Sequence, residues 1–167
     1  IGGYHVLPNG NELSSDKVHI FDPQSNSFLP DAANVPLAID DQAQAVWRDS
    51  LIYVISGWSN STNVANVQIF NPVSNSWSVG TPVPNTASYK VFGSAGIIVG
   101  DTIFYYGGAS LGSSFPASSS LRMGIINPLN PLQISWTNPT NFLPAYRYAA
   151  MTDSLYYVYY LGGSSPT

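Results

Sequence analysis

A pair of small residues that ends an apolar stretch returns four times along this chain. Counted on the second residue, the pairs lie 54, 51 and 55 residues apart: Gly2-Gly3, Ser56-Gly57, Gly107-Gly108 and Gly162-Gly163. A closing aromatic residue follows a similar period, since Phe28, Trp77 and Trp136 are separated by 49 and 59 residues. Because independent landmarks return at about fifty residues, the chain is predicted to repeat one structural unit three times.

Each unit is predicted to consist of β-strands. Apolar stretches flank short polar turns, such as those at Arg48-Asp49-Ser50 and Gly100-Asp101, which is typical of β-hairpins. A second hairpin turns at Asp-Pro or Asn-Pro, where proline fixes its own φ and the Asx side chain bonds back to the backbone. The apolar residue before this turn is aligned as Phe21, Phe70 and Ile126 in the three copies. No stretch of the sequence carries a sustained helical period.

Four strands in each unit predict the blade of a β-propeller. A β-sandwich is the rival, but it would not need the glycine pairs and the aromatic residues to return in register. The predicted fold is therefore all-β, a single propeller segment over residues 1–167 with repeats at about 4–57, 58–108 and 109–163. Propellers close with four to eight blades, so about three blades imply continuation in a longer chain, the favoured alternative, or self-association of copies.

Composition excludes several classes of function. Charged residues make up 8% of the chain, only five residues are Lys or Arg, and the formal net charge is −4, so no basic patch could bind nucleic acid. The chain has no cysteine, and its two histidines stand apart in sequence, which gives no basis for predicting a metal site, a cofactor or a catalytic residue. No apolar run is long enough to span a membrane.

The predicted binding residues come from the unlike connections between strands. In a four-stranded blade, the connection from the second to the third strand and the connection to the next blade share one face, and both are long here. Loops on a rigid scaffold are where binding usually occurs. Aromatic side chains beside cations suit contact with a sugar or a protein. The residues predicted to do this are Tyr4, Trp58, Tyr89, Lys90, Tyr146 and Arg147.

The closing aromatics are predicted to be core residues instead. A large ring at a fixed place in each blade would fill the space between adjacent blades. Phe28, Trp77 and Trp136 are therefore assigned to the packing between blades, and not to a binding motif.

The recurring residues resemble the kelch repeat. That family has a hydrophobic strand ending in Gly-Gly, then an aromatic-Asp-Pro turn and a Trp. Ile103–Gly108 is similar to the first part, and Phe70-Asn71-Pro72 with Trp77 is similar to the second. The third copy is the most divergent. The resemblance implies kelch-type blades, and it places Arg147 where these repeats often carry arginine, with Lys90 and Asp41 as loose counterparts.

Two functions follow from the resemblance. The first is a scaffold that binds a protein or glycan partner through its long loops, in an extracellular or periplasmic setting that suits the low charge. The alternative is part of a sugar-active enzyme resembling sialic-acid mutarotase, whose site would use Arg and Glu. Resemblance to galactose oxidase fails, because its site needs cysteine and several histidines. The sequence favours binding over catalysis, since the only such residues are Arg48, Arg122, Arg147 and Glu12.

Overall fold

The chain folds into antiparallel β-sheets. A computed structural model describes residues 1–112 and 114–164, and every regular element in that part is a β-strand. The prediction of one segment over residues 1–167 with the stated repeat limits stays a prediction, and residues 113 and 165–167 lie outside the described part.

The described part contains seventeen strands. In chain order they are β1 (Tyr4–Val6), β2 (Glu12–Ser14), β3 (Ile20–Asp22), β4 (Ser27–Leu29), β5 (Ala43–Trp47), β6 (Leu51–Ile55), β7 (Trp58–Ser59), β8 (Thr62–Asn63), β9 (Val67–Asn71), β10 (Ser76–Val79), β11 (Phe92–Val99), β12 (Thr102–Ala109), β13 (Ser120–Asn127), β14 (Asn130–Trp136), β15 (Thr140–Asn141), β16 (Tyr146–Thr152) and β17 (Val158–Ser164).

Two complete blades stand between two half blades. The second blade has the sheet order β5-β6-β9-β10, and the third blade has the order β11-β12-β13-β14. Strands β3 and β4 form the outer half of a first blade, whereas β16 and β17 form the inner half of a fourth. Strand β11 packs against both β5 and β16, so the inner strands of successive blades lie side by side. The predicted propeller of about three repeats is confirmed.

The core lies between the blades. The middle strands β6 and β9 carry nearly continuous apolar runs because both faces of their sheet are covered. Tyr53 and Ile69 pack with Tyr105 and Ile126 between the second and third blades. A second cluster, which includes Ile39, Val54 and Phe70, joins the first blade to the second. Burial of these two interfaces is what holds the array together.

The recurring glycines connect one blade to the next. The second residue of each pair has a positive φ, at 106°, 107° and 86° in Gly3, Gly57 and Gly108, a backbone conformation that favours glycine. Each donates its amide to a carbonyl just before the next inner strand: Gly3 to Ile39 at 2.9 Å, Gly57 to Val91 at 2.9 Å and Gly108 to Ala145 at 3.0 Å. The landmarks therefore recur because the contact between blades recurs.

The closing aromatics are only partly the core residues that the repeat predicts. Trp77 and Trp136 are partly buried and donate their indole N–H to the preceding blade's outgoing connection, at Ala33 (2.8 Å) and Thr81 (3.3 Å). Phe28 is 73% exposed, so its assignment to the core is wrong for this chain. The reason is geometric: each ring packs on the blade before its own, and the described residues contain no blade before the first.

The third copy also departs from its predicted alignment. Phe21 and Phe70 pair with the closing aromatics Phe28 and Trp77, but the residue that pairs with Trp136 is Gly124 rather than Ile126. A Cβ on Gly124 would lie 2.5 Å from the Trp136 ring. Glycine therefore leaves the space in which the indole lies across the strand, and the hairpin of the third blade is longer beyond this point.

Candidate functional site

A concave surface opens where the starts of the inner strands meet the connections between second and third strands. We call it the central cavity, and its volume is about 580 Å³. The connections contribute Tyr4, Glu12, Leu13, Ser14, Trp58, Asn60, Ala109, Ser114 and Phe115. The inner-strand starts contribute Asp40, Asp41, Phe92, Tyr146 and Arg147. The cavity is thus built from three successive blades and the beginning of a fourth.

Four of the six predicted binding residues come together in this cavity. Tyr4, Trp58, Tyr146 and Arg147 all line it, although they are far apart in sequence. The structure does not bring the other two there. Tyr89 is 6% exposed and its hydroxyl donates to the Thr137 carbonyl, because the connection that carries it packs between two blades.

Lys90 lies in the same packed connection as Tyr89. Its carbonyl accepts the side-chain amide of Asn63 at 3.0 Å, and its neighbour Val91 is fully buried. The residue of this segment that reaches the cavity is Phe92, two positions further on.

Three equivalent positions at the starts of the inner strands carry unlike residues. Asp41, Gly93 and Arg147 have φ values of 50°, 66° and 61°. By strand register, each stands opposite the second residue of a glycine pair in the neighbouring strand. The predicted counterpart of Arg147 in the third blade, Lys90, is therefore wrong, and the counterpart is Gly93. Positive φ at two non-glycine residues is uncommon and is often found at functional sites.

Arg147 reaches across Gly93 towards Asp41. The Arg147 guanidinium lies 4.0 Å from the Asp41 carboxylate. Gly93 donates its amide to the Asp41 carbonyl at 2.6 Å, and a Cβ on Gly93 would contact Arg147 Cγ at 3.5 Å. Both charged side chains are substantially exposed, so the pair contributes little to stability and remains accessible to a ligand.

A hydrogen-bonded group joins the first two connections at the cavity wall. The Ser14 hydroxyl donates to Asp40 Oδ2 at 2.5 Å and accepts the Asn60 amide at 2.7 Å. The Ser14 amide donates to Asn60 Oδ1 at 3.0 Å. Burial raises the pKa of the Asp40 carboxyl, the bond from Ser14 opposes that shift, and the nearby Asp41 and Glu12 carboxylates add to it. These contacts fix the wall before any ligand binds.

Aromatic rings form the opposite wall. Trp58, Phe92 and Phe115 make mutual edge-to-face contacts, with ring centroids 5.5, 5.7 and 5.5 Å apart. Such contacts hold the rings in fixed orientations. Tyr4, by contrast, is 63% exposed, so its ring is available to a ligand at the rim.

Arg122 lies beneath the cavity and does not reach it. Its guanidinium donates to the carbonyls of Gly107 (2.8 Å) and Ser120 (3.1 Å) and to the Ser118 hydroxyl (2.5 Å), and its Nε donates to the Ser88 carbonyl. The side chain is fully buried, and burial lowers its pKa to about 10. Arg122 therefore ties together the segments that support the third blade's part of the cavity.

Arg48 lies at the opposite end of its inner strand. It pairs with Asp101 at 3.0 Å and stacks over the Trp47 ring at 4.4 Å. Of the residues considered for the enzyme alternative, only Arg147 and Glu12 line the central cavity.

Sequence reasoning missed Ser14, Asp40, Asn60, Phe92, Gly93 and Phe115. Gly93 and Phe92 had a signal: Asp41 and Arg147 each precede a landmark glycine by 16 residues, and Gly93 precedes Gly108 by 15. Counting from the glycine pairs would have located them. The remaining four residues had no such signal, because their contacts with one another follow from the arrangement of the blades.

The histidines and carboxylates show no metal site in the part of the chain that the structure describes. No group of three or more potential ligands comes together there. His19 lies on the exposed outer half blade, where its Nδ1 is 2.7 Å from Asp31. The same described part contains no helix that is long and apolar enough to cross a membrane.

Comparison with known proteins supports the fold. Residues 47–84 match the family described as Kelch motif. A solved structure described as "Structure of YjhT" matches with a TM-score of 0.74 and 14% identity, over 92% of this chain and 52% of that one. The chain therefore spans about half the length of that structure. No curated protein matches the sequence.

Proposed function

We propose that this chain, which carries a kelch motif and folds as a kelch-type β-propeller, is a scaffold that binds a protein or glycan partner through the central cavity. The observation that carries the proposal is the contrast between repeated and unlike residues. The glycines that join the blades recur, whereas the equivalent positions Asp41, Gly93 and Arg147 differ. Unlike residues at one place on a repeated scaffold are typical of a binding surface.

The setting that we propose is extracellular or periplasmic. Its support is the composition, because only 8% of residues are charged and the surface is polar mainly through Ser, Asn, Thr and Tyr. The half blades at the two ends expose Phe21 and Phe28 at one side and Tyr157 and Leu161 at the other. We propose that further blades cover these surfaces, supplied by a longer chain or by self-association.

A sugar-active enzyme remains the second candidate because Glu12 and Arg147 line the same cavity. These are the residue types that a mutarotase-like site would use. An assay of sugar anomerisation separates the two candidates, since a scaffold binds its ligand without turnover. Catalysed anomerisation that is lost in Glu12→Gln and in Arg147→Gln would favour the enzyme.

Binding to a panel of glycans and to candidate proteins tests the proposed function. We expect Arg147→Gln and Tyr4→Ala each to weaken binding about tenfold or more, because each removes an exposed contact of the cavity. The matched controls are Arg48→Gln and Tyr156→Ala, at the opposite ends of the inner strands, and these are expected to bind as the wild type does. Surface plasmon resonance with immobilised chain measures all five proteins.

The outcome that would contradict the proposal is equally specific. If a partner binds and its affinity falls in the control variants but not in the cavity variants, the binding surface lies elsewhere. Thermal melts of each variant show whether the fold is retained, because the four substituted residues are exposed or partly exposed.

A further inference from the structure

We propose that the ligand group held in the central cavity is an uncharged sugar ring, and that the cavity discriminates against sugars that carry a carboxylate. The inference rests on the proposed function and names the chemistry of its ligand. Three features of the cavity carry it: the balance of charges, the kind of hydrogen-bonding groups, and the exposed aromatic rings.

The charges of the cavity oppose an anion. Three carboxylates line it, those of Glu12, Asp40 and Asp41, against the single guanidinium of Arg147. That guanidinium already lies 4.0 Å from Asp41, so an anionic ligand would have to compete with a carboxylate for it. The whole chain adds to the effect, with a formal net charge of −4. Like charges a few ångströms apart in a partly enclosed site repel each other strongly.

The hydrogen-bonding groups suit hydroxyls. Ionised carboxylates only accept hydrogen bonds, and sugar hydroxyls can donate them. Asp40 is held in place by Ser14 at 2.5 Å, so its acceptor position is fixed before the ligand arrives. Arg147 beside Asp41 places donors next to acceptors, the arrangement that neighbouring hydroxyls on one ring require.

The aromatic rings suit the apolar face of a sugar. Tyr4 exposes 63% of its surface at the rim, and the Tyr146 ring lies 5.7 Å from the Arg147 guanidinium on the other side. Exposed rings that combine an apolar face with a polar edge are suited to ligands of mixed polarity. The cavity volume of about 580 Å³ falls in the range of small-ligand sites, which favours a sugar ring over a folded protein surface.

Matched sugars that differ only at C6 test the inference. Glucose and glucuronic acid, or galactose and galacturonic acid, are compared as the terminal units of otherwise identical oligosaccharides by isothermal titration calorimetry. We expect the neutral member of at least one pair to bind about tenfold more tightly at 50 mM salt. The difference is expected to shrink at 0.5 M salt, where charges are screened.

Charge-neutralising variants give the second arm of the test. In the double variant Glu12→Gln with Asp41→Asn, the preference for the neutral sugar is expected to fall by about tenfold. Asp49→Asn is the matched control, because Asp49 lies in the turn at the far end of the second blade's inner strand. That control is expected to keep the wild-type preference.

The outcomes separate the inference from the function on which it rests. Equal or tighter binding of the uronic acid overturns the inference but leaves a glycan-binding scaffold intact. Binding of a protein alone, lost in Arg147→Gln, overturns the inference and supports the scaffold. If neither sugars nor proteins respond to the cavity variants, both the inference and the proposed function are overturned.

Discussion

Replacing Arg122 with methionine is expected to lower the free energy of unfolding by about 3–5 kcal/mol, because several buried acceptors would each lose a partner. Three backbone carbonyls and one hydroxyl accept hydrogen bonds from this guanidinium, which is fully buried. Methionine has a similar length but donates nothing. Urea denaturation of the two proteins measures the difference.

The burial of a charge works against this loss, and its size decides the net effect. Burial lowers the pKa of Arg122 to about 10, which shows that folding disfavours its charged form. Within the described residues, no carboxylate lies within 4.0 Å of Arg122 to offset that cost. We expect the lost hydrogen bonds to outweigh the relief, because they connect the segments at Ser88, Gly107 and Ser118.

Arg48→Met is the control for this substitution. It removes the same side chain from an exposed pair with Asp101, and the expected cost is below about 1 kcal/mol. Equal stability of Arg122→Met and the wild type would contradict the structural role of Arg122, and so would a larger loss in the control.

Replacing Gly107 with alanine is expected to lower the free energy of unfolding by about 3 kcal/mol. Gly107 has a φ of 68°, which alone costs an alanine about 1–2 kcal/mol. Its missing Cβ would overlap the Ala145 carbonyl of the next blade's incoming segment and would lie 3.3 Å from the Tyr148 ring. Because one obstacle is backbone, relief requires the two blades to separate.

Gly100→Ala isolates the backbone contribution. Gly100 has a similar φ of 60°, but a Cβ there would meet no atom within 4 Å. We expect it to cost about 1–2 kcal/mol, less than Gly107→Ala. Equal losses in the two variants, measured by chemical denaturation, would show that the contact between the third and fourth blades is not as close as described.

The repeat made much of the fold predictable because its landmarks are structural. Gly57 and Gly108 recur since each makes the same hydrogen bond to the next blade, and strands β5 and β6 follow from apolar runs around a polar turn. What the period could not supply was the neighbour of each blade. Phe28 has the position of Trp77, but its burial depends on a preceding blade that the described residues lack.

The site was less predictable than the fold for a related reason. Tyr4 and Arg147 could be placed on one face from the lengths of the connections, and both line the central cavity. The contact of Ser14 with Asp40 and Asn60 joins two connections of different sequence, so no period indicates it. The misplaced counterpart of Arg147 arose from spacing, because the inner strand of the third blade starts one residue nearer its glycine pair.

Amide hydrogen exchange, followed residue by residue by NMR, tests the central claim that the recurring glycines join adjacent blades. Gly57 and Gly108 donate to Val91 and Ala145 of the following blades at 2.9 and 3.0 Å. We expect both amides to exchange at least about 10³-fold more slowly than that of Gly100, which lies in an exposed turn. Exchange of Gly57 and Gly108 as fast as that of Gly100 would contradict the propeller arrangement.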